Sequence, residues 1–334
     1  MIVGVTYDLR SDYVPHGDDP ADANAEFDAP GTIELLVGAI RSAGHEVVPI
    51  GNVERLLRRL DDLQVDLVFN IAEGRGGRNR ESQIPMLLEL RGIPYVGADA
   101  LALGISLDKV VAKQIFLAAG IPTPRSFQIA DVHALTEVPF PFPLIVKPRH
   151  EGSSKSLSEK SLVHSREALV AQADWLIRTY RQPALVEEFI HGTEFTVAVI
   201  GNEPPEAQPV VQVQIDGRTD LGDLFYTYSR IISPALDYVC PARVPPVLER
   251  RLQTLAIRAY CAIECRDFGR VDFRVDAQGR PFVLEINPLP SLAAEDVFMV
   301  LARHLGVPYE AMIHRILQAA ITRCHLEPCP TPSR

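Results

Sequence analysis

Two runs of alternating apolar and polar residues, Gly269-Arg270-Val271-Asp272-Phe273-Arg274-Val275 and Pro281-Phe282-Val283-Leu284-Glu285-Ile286-Asn287, flank the turn Asp276-Ala277-Gln278-Gly279. A glycine-containing turn between alternating runs dictates a β-hairpin. Side chains alternate faces along a strand, so Val271, Phe273, Val275, Phe282, Leu284 and Ile286 are expected on one face. Arg270, Asp272, Arg274, Glu285 and Asn287 then share the other, with Asp272 opposite Val283 and diagonal to Glu285. Two carboxylates this close repel unless a cation sits between them. Oxygen ligands without His or Cys favour magnesium or manganese bridging phosphates. Without a metal, this face would be a solvated surface of Arg–acid cross-strand pairs.

The chain has 334 residues, too many for one simple core, which predicts two or three lobes. A formal charge of -10 argues against nucleic acid as the main partner. No run of about 18 apolar residues is present, so no membrane span is expected. Met1-Ile2-Val3-Gly4-Val5 reads as a first strand rather than a secretory signal. The five cysteines lack zinc-site spacing and read as reduced thiols of a cytoplasmic protein.

Strand and helix alternate through the first hundred residues. Strands are expected over 2–7, 46–50 and 65–70, and helices over 32–43, 53–60 and 82–91, as in a doubly wound α/β lobe. The loop 11–30 carries Asp12, Asp18, Asp19, Asp22, Glu26 and Asp28. It is either a solvated loop or a lid that meets a cationic substrate. Further helices are expected over 107–119, 166–181 and 247–261, with a closing helix near the end. Strands are expected over 144–147, 184–189, 195–200 and 210–215. The resulting boundaries are 1–105, 106–191 and 192–325, with a frayed tail 326–334.

Lys147 ends an apolar strand, where ligand crevices of α/β sheets lie. Glu151-Gly152-Ser153-Ser154-Lys155-Ser156 follows, a small polar loop able to offer N–H and hydroxyl donors to phosphate. Lys109 falls in the first turn of a helix, where the dipole disfavours a cation unless an anion is near. In Ala184-Leu185-Val186-Glu187-Glu188-Phe189-Ile190, read as an edge strand, backbone groups with Glu187, Glu188 and nearby Glu194 suit adenine and ribose. The alternative is a charged edge that resists aggregation.

These segments, in this order, resemble the D-alanine–D-alanine ligase family of ATP-grasp enzymes. Seven stretches carry the likeness: Glu73-Gly74-Arg75-Gly76-Gly77, Ser106-Leu107-Asp108-Lys109, Val146-Lys147-Pro148, Glu151-Gly152-Ser153-Ser154, Glu194-Phe195-Thr196-Val197, Gly269-Arg270-Val271-Asp272 and Glu285-Ile286-Asn287. They run from about Val68 to Ala320, roughly three-quarters of the chain. The resemblance implies a three-lobed ATP-grasp fold, an N-terminal doubly wound lobe followed by two α+β lobes with ATP between them. It implies that Lys109 and Lys147 bind phosphates beneath the Gly152–Ser154 loop, and that Glu187, the backbone of Glu188, Phe189 and Ile190, and Glu194 hold adenine and ribose. Asp272, Glu285 and Asn287 would bind magnesium. Arg270 would stabilise the acyl-phosphate and tetrahedral intermediate, aided by Ser153 and by Arg230 at the place of a family lysine. The implied reaction joins a small-molecule carboxylate to an amine through an acyl-phosphate, in a chain that pairs as a homodimer.

The substrate half departs from the family. The family's ammonium-gripping glutamate has no counterpart in Val5-Thr6-Tyr7-Asp8-Leu9-Arg10, the family tyrosine falls at Ile231, and the usual histidine is Glu73. After Asn287 the chain reads Pro288-Leu289-Pro290-Ser291-Leu292-Ala293-Ala294-Glu295-Asp296, which sets Asp296 where a serine binds the second substrate's carboxylate. A carboxylate facing a carboxylate is repulsive. Glu73, Ser291 and Asp296 are therefore candidate substrate residues, and the expected product is an amide other than D-alanyl-D-alanine. Ordinary D-alanine–D-alanine ligation, imine formation and a non-catalytic ATP-binding scaffold are the alternatives.

Overall fold

In the computed structural model, residues 1–231 and 233–326 are described. The frayed tail predicted beyond Leu326 lies outside them. The first sheet is parallel, in the order Glu46–Gly51, Ile2–Thr6, Leu67–Asn70, Tyr95–Val96. Its strands are short apolar runs because both faces are covered. Pro30–Ser42 covers one face, together with Val297–Leu305 and Tyr309–Arg323 from the other end of the chain. Val53–Arg59 and Gln83–Leu90 cover the opposite face.

A four-stranded antiparallel sheet follows, in the order Ser126–Ile129, Ala184–Glu188, Leu144–Pro148, Leu162–Val163, backed by the helix Arg166–Tyr180. Ala184–Glu188 is thus an interior strand and not the expected edge. Ser126–Ile129, too short and half polar to stand out in the sequence, takes the outer position. The third sheet runs Leu236–Val239, Val211–Ile215, Thr193–Ile200, Phe268–Val275, Pro281–Asn287, with Glu206–Ala207 also against Thr193–Ile200. Pro246–Ala262, Ala100–Leu107 and Lys109–Ala118 pack on its apolar face. The helix expected over 107–119 is Lys109–Ala118, capped by Asp108, which accepts from Val110 and Val111; the helix Ala100–Leu107 before it was not expected.

The hairpin forms with one shift of phase. Asp272 pairs directly with Glu285 and Phe273 with Val283, so Leu284 is an extra residue in a β-bulge. The bulge turns Val283 into the core and leaves Phe282 and Leu284 partly exposed. Apolar faces were thus assigned correctly for Val271, Phe273, Val275 and Ile286, and wrongly for Phe282 and Leu284. A bulge re-aims side chains beside it, and here it brings Glu285 level with Asp272.

Candidate active site

The three sheets meet around a cavity of about 570 Å³. Six basic side chains line it (Arg10, Lys109, Lys147, Lys155, Arg270 and Arg274), against twelve acidic ones, an excess of six negative charges when all are ionised. Arg80, Lys113 and Arg125, behind the lining, meet three of these charges through Glu26, Glu187 and Glu188.

On the hairpin face, Asn287 Nδ2 donates to Asp272 Oδ2 at 3.0 Å. Arg270 holds Asp272 through two bonds of 3.1 and 3.0 Å, and Thr196 Oγ1 donates to Asp272 Oδ1 at 2.6 Å. Glu285 Oε2 lies 3.0 Å from Lys109 Nζ. The predicted trio therefore converges. Burial tends to raise the Glu285 carboxyl, but Lys109, Lys147 and Arg270 bring it down to about 2. Glu285 is thus anionic and matched by Lys109, and Asp272 is paired with Arg270.

Lys109 Nζ also donates to the Glu151 carbonyl at 2.6 Å, which ties the hairpin to the start of the phosphate-type loop. Lys147 Nζ sits 2.7 Å from Glu187 Oε2, and Lys113 Nζ sits 3.0 Å from Glu187 Oε1. Both Glu187 oxygens are engaged by lysines, so its side chain positions Lys147 instead of facing a purine. Phe189, Ile190 and the bulge residue Leu284 supply apolar lining beside Glu188 and Glu194. Burial, the largest cause, raises Glu194 to about 7 despite Arg274 nearby.

Arg274, placed on the polar hairpin face by alternation but given no role there, organises this end. It is 3% exposed, stacks 4.7 Å over the Phe189 ring and donates to the carbonyls of Gly192, Gly222 and Leu224. Gly192 is required beneath it: φ is 145°, and a Cβ there would lie 2.0 Å from the Val275 carbonyl oxygen. Alternation of the hairpin put Arg274 on the face of Arg270 and Asp272; its bonds to Gly192, Gly222 and Leu224 come from sequence-distant segments.

Over the cavity lies the loop 151–157. Ser153, Ser154 and Ser156 take left-handed φ values of 46°, 53° and 68°, a costly run for non-glycine residues that its surroundings must hold. Glu26 does so from the acidic loop. It accepts from Gly152 N, Lys155 Nζ and Arg80 Nη2, each at 2.7 Å. Burial raises the Glu26 carboxyl, but Arg80 and Lys155 outweigh it and bring it to about 2. Asp22 accepts from Ser156 N at 2.7 Å and from the Tyr180 hydroxyl at 2.8 Å. Residues 14–19 of the acidic loop are solvated, but Asp22 and Glu26 are buried and not free to meet a substrate. The acidic loop is a clasp on the phosphate-type loop, invisible in the sequence because its partners lie 126 to 158 residues away.

The remaining candidates divide. Ser153, Ser154, Glu73, Ser291 and Asp296 all line the cavity. Asp296 caps the helix Val297–Leu305, accepting from Val297 N at 2.6 Å, and its Oδ1 lies 3.6 Å from Arg270 Nη1. Arg270 is thus flanked by two carboxylates. Arg230 does not line the cavity: it donates to the Phe225 carbonyl and pairs with Glu159 at 3.1 Å. Its neighbour Ile231 does line the cavity, since the short helix Tyr228–Ile231 turns the arginine outward.

The sequence model described as D-ala D-ala ligase C-terminus matches residues 120–318. A D-alanine–D-alanine ligase of Pseudomonas entomophila is 36% identical over 294 residues, 86% of either chain. The chain belongs to the D-alanine–D-alanine ligase family. It is an ATP-dependent ligase with the ATP-grasp fold, forming a C–N bond. The uncharacterised protein y4sG of Sinorhizobium fredii is 34% identical over 298 residues, 87% of each chain. In fold, the chain matches the Bacillus anthracis D-alanine–D-alanine ligase complexed with ATP (TM-score 0.75, 21% identity, 97% of this chain and 99% of that one). The VanG D-Ala:D-Ser ligase of Enterococcus faecalis gives a TM-score of 0.74 at 20% identity, over 96% and 99%. Among the described residues no helix is long and apolar enough to cross a membrane.

Proposed function

We propose that this ligase joins a small carboxylate to an amine other than D-alanine, with ATP held between the second and third sheets. The lobes are read as 1–105, 106–191 and 192–325, with the C-terminal helices returning to complete the first. Lys109 and Lys147 hold the phosphates under Gly152, Ser153 and Ser154, and Glu188, Phe189, Ile190 and Glu194 take the nucleoside. Asp272, Glu285 and Asn287 are the metal ligands: they offer only hard oxygens, which suits magnesium or manganese. Among the described residues no cluster of three acidic, His or Cys side chains exists to hold a metal alone. The ion would complete its shell with phosphate oxygens and water, as magnesium does. Bound there, it would supply charge neutralisation for phosphoryl transfer. Arg270, fixed by Asp272, is aimed at the oxygens on which charge develops.

The substrate reading rests on the Arg270–Asp296 contact. A carboxylate-bearing amine seated against Arg270 would meet Asp296 and Asp272 on either side of that guanidinium. The amine substrate is accordingly one without a carboxylate beside its nitrogen, or one with a compensating positive charge. Incubation of the chain with ATP, magnesium and pairs of carboxylates and amines, read by ADP release and mass spectrometry, tests this. The reading predicts product with such an amine and little with D-alanine alone. Efficient D-alanyl-D-alanine formation would overturn it. Pairing as a homodimer in the cytoplasm completes the proposal, with light scattering as the check on its oligomeric part.

A further inference from the structure

Glu26 is saturated by Arg80, Lys155 and Gly152 N, so it has no capacity left for a substrate's ammonium. Three other carboxylates of the cavity lining are in the opposite condition. Glu73, Glu81 and Asp28 all line it, and none has a side-chain hydrogen bond or an ion pair among the described residues. Glu81 is only 8% exposed, an unpartnered buried acid facing the cavity. Nearly every other acid of comparable burial here is bonded: Glu26 to two cations, Glu187 to two lysines, Asp108 to Arg149. A buried carboxylate without a partner costs free energy unless a ligand supplies one.

We infer that Glu73 and Glu81, with Asp28 beside them, form a subsite for a primary ammonium carried on a short aliphatic arm of one substrate. This rests on the ligase reading above and names the substrate class it left open. The electrostatics agree. Burial, with Glu81 and Glu26 next, raises Glu73 well above its ordinary range, and burial raises Glu81 and Asp28 to about 7. A bound ammonium would restore all three to their anionic form. Counting Arg80, Lys113 and Arg125, which pair with lining acids from behind, the lining keeps an excess of three carboxyl groups over cationic side chains for an organic cation to meet. A neutral hydroxyl would leave the excess charge unmatched.

The test uses the full chain and a defined series: 2,3-diaminopropionate, 2,4-diaminobutyrate, ornithine and lysine, both enantiomers, each against its neutral isostere. Initial rates of ADP release give kcat/KM with ATP and magnesium, each member tried as the carboxylate with hydroxylamine as the amine and as the amine with D-alanine as the carboxylate. Thermal shift gives binding without ATP. At least one cationic member is expected to exceed its isostere tenfold or more in kcat/KM and to raise the thermal midpoint. Glu73→Gln and Glu81→Gln are each expected to erase both effects. Above pH 8, Glu81→Gln is also expected to raise the ligand-free midpoint, since it removes an unpaired buried charge; a purely structural carboxylate would lower it. Equal response to cationic and neutral members throughout would overturn the subsite while leaving the ligase reading intact. Glutamine variants that retain the preference would also overturn it. Cation-specific thermal shifts without any ADP release would uphold the subsite and count against the ligase reading.

Discussion

Replacing Glu26 with glutamine should open the loop over the cavity. The carboxylate is 9% exposed and accepts three bonds of 2.7 Å, from Gly152 N, Lys155 and Arg80. Removing one partner of a buried ion pair costs roughly 3–5 kcal/mol. Glu151 remains 3.3 Å from Arg80 and 3.0 Å from Lys155, which puts the loss at the lower end. About 3 kcal/mol corresponds to a factor on the order of 100 in the closed-to-open ratio. The amides of Gly152 and Ser156 donate to Glu26 and Asp22, so native-state hydrogen exchange at those two positions reads the ratio directly. Protection should fall about 100-fold at Gly152, and by a similar factor at Ser156 if the clasp opens as one unit. Exchange unchanged within about threefold would refute the assignment of Glu26 as the residue that holds the strained loop. The same logic fixes the pH dependence. The folded-state value of about 2 lies below the ordinary 4.5, so this stabilisation is present above pH 4.5 and is lost as pH falls towards 2.

Other expectations follow from the same contacts. Lys147→Ala leaves Glu187 with Lys113 alone and removes the lysine proposed to hold phosphate; the KM for ATP should rise at least about tenfold, as a lost charge-assisted bond implies, measured by ADP release. Asp296→Ser keeps a good helix cap, so thermal stability should change by less than about 0.5 kcal/mol, while preference shifts towards carboxylate-bearing amines; an unchanged preference would sink the role given to Asp296. Glu81 and Asp28, with folded-state values of about 7 above their ordinary 4.5 and 3.8, penalise the ligand-free fold increasingly as pH rises through that window. The thermal midpoint should therefore be higher near pH 5.5 than near pH 8, with the difference smaller in Glu81→Gln. Phe273→Ala, at a fully buried position between the sheet and its helices, should cost about 3–5 kcal/mol in denaturant unfolding.

What the sequence disclosed was local or periodic. The parallel strands stood out because burial on both faces makes them apolar throughout, and the hairpin because its period is two. Lys109, Lys147, Arg270, Asp272, Glu285 and Asn287 were legible for the same reason: each occupies a fixed place on an element the pattern defines. The bulge at Leu284 was not, since one inserted residue reverses the phase without altering composition. The closing helix proved to be two, split at Gly306-Val307-Pro308, a break visible in the residues themselves. Glu26 and Asp22 were seen only as members of an acidic loop. Their partners come from sequence-distant elements, and no spacing rule connects them. Arg230 was misplaced because the matched position fixed its residue number and left its rotation about a four-residue helix undetermined.

The central claim is that the bulged hairpin and the two lysines grip one metal-bound nucleotide. A crystal structure of the chain with ADP, a phosphate mimic and magnesium measures this directly. The account predicts a metal about 2.0–2.1 Å from carboxylate oxygens of Asp272 and Glu285 and from the Asn287 amide oxygen, with phosphate oxygens against Lys109 and Lys147. Metal density away from that trio, or phosphates lying outside the reach of both lysines, would contradict it.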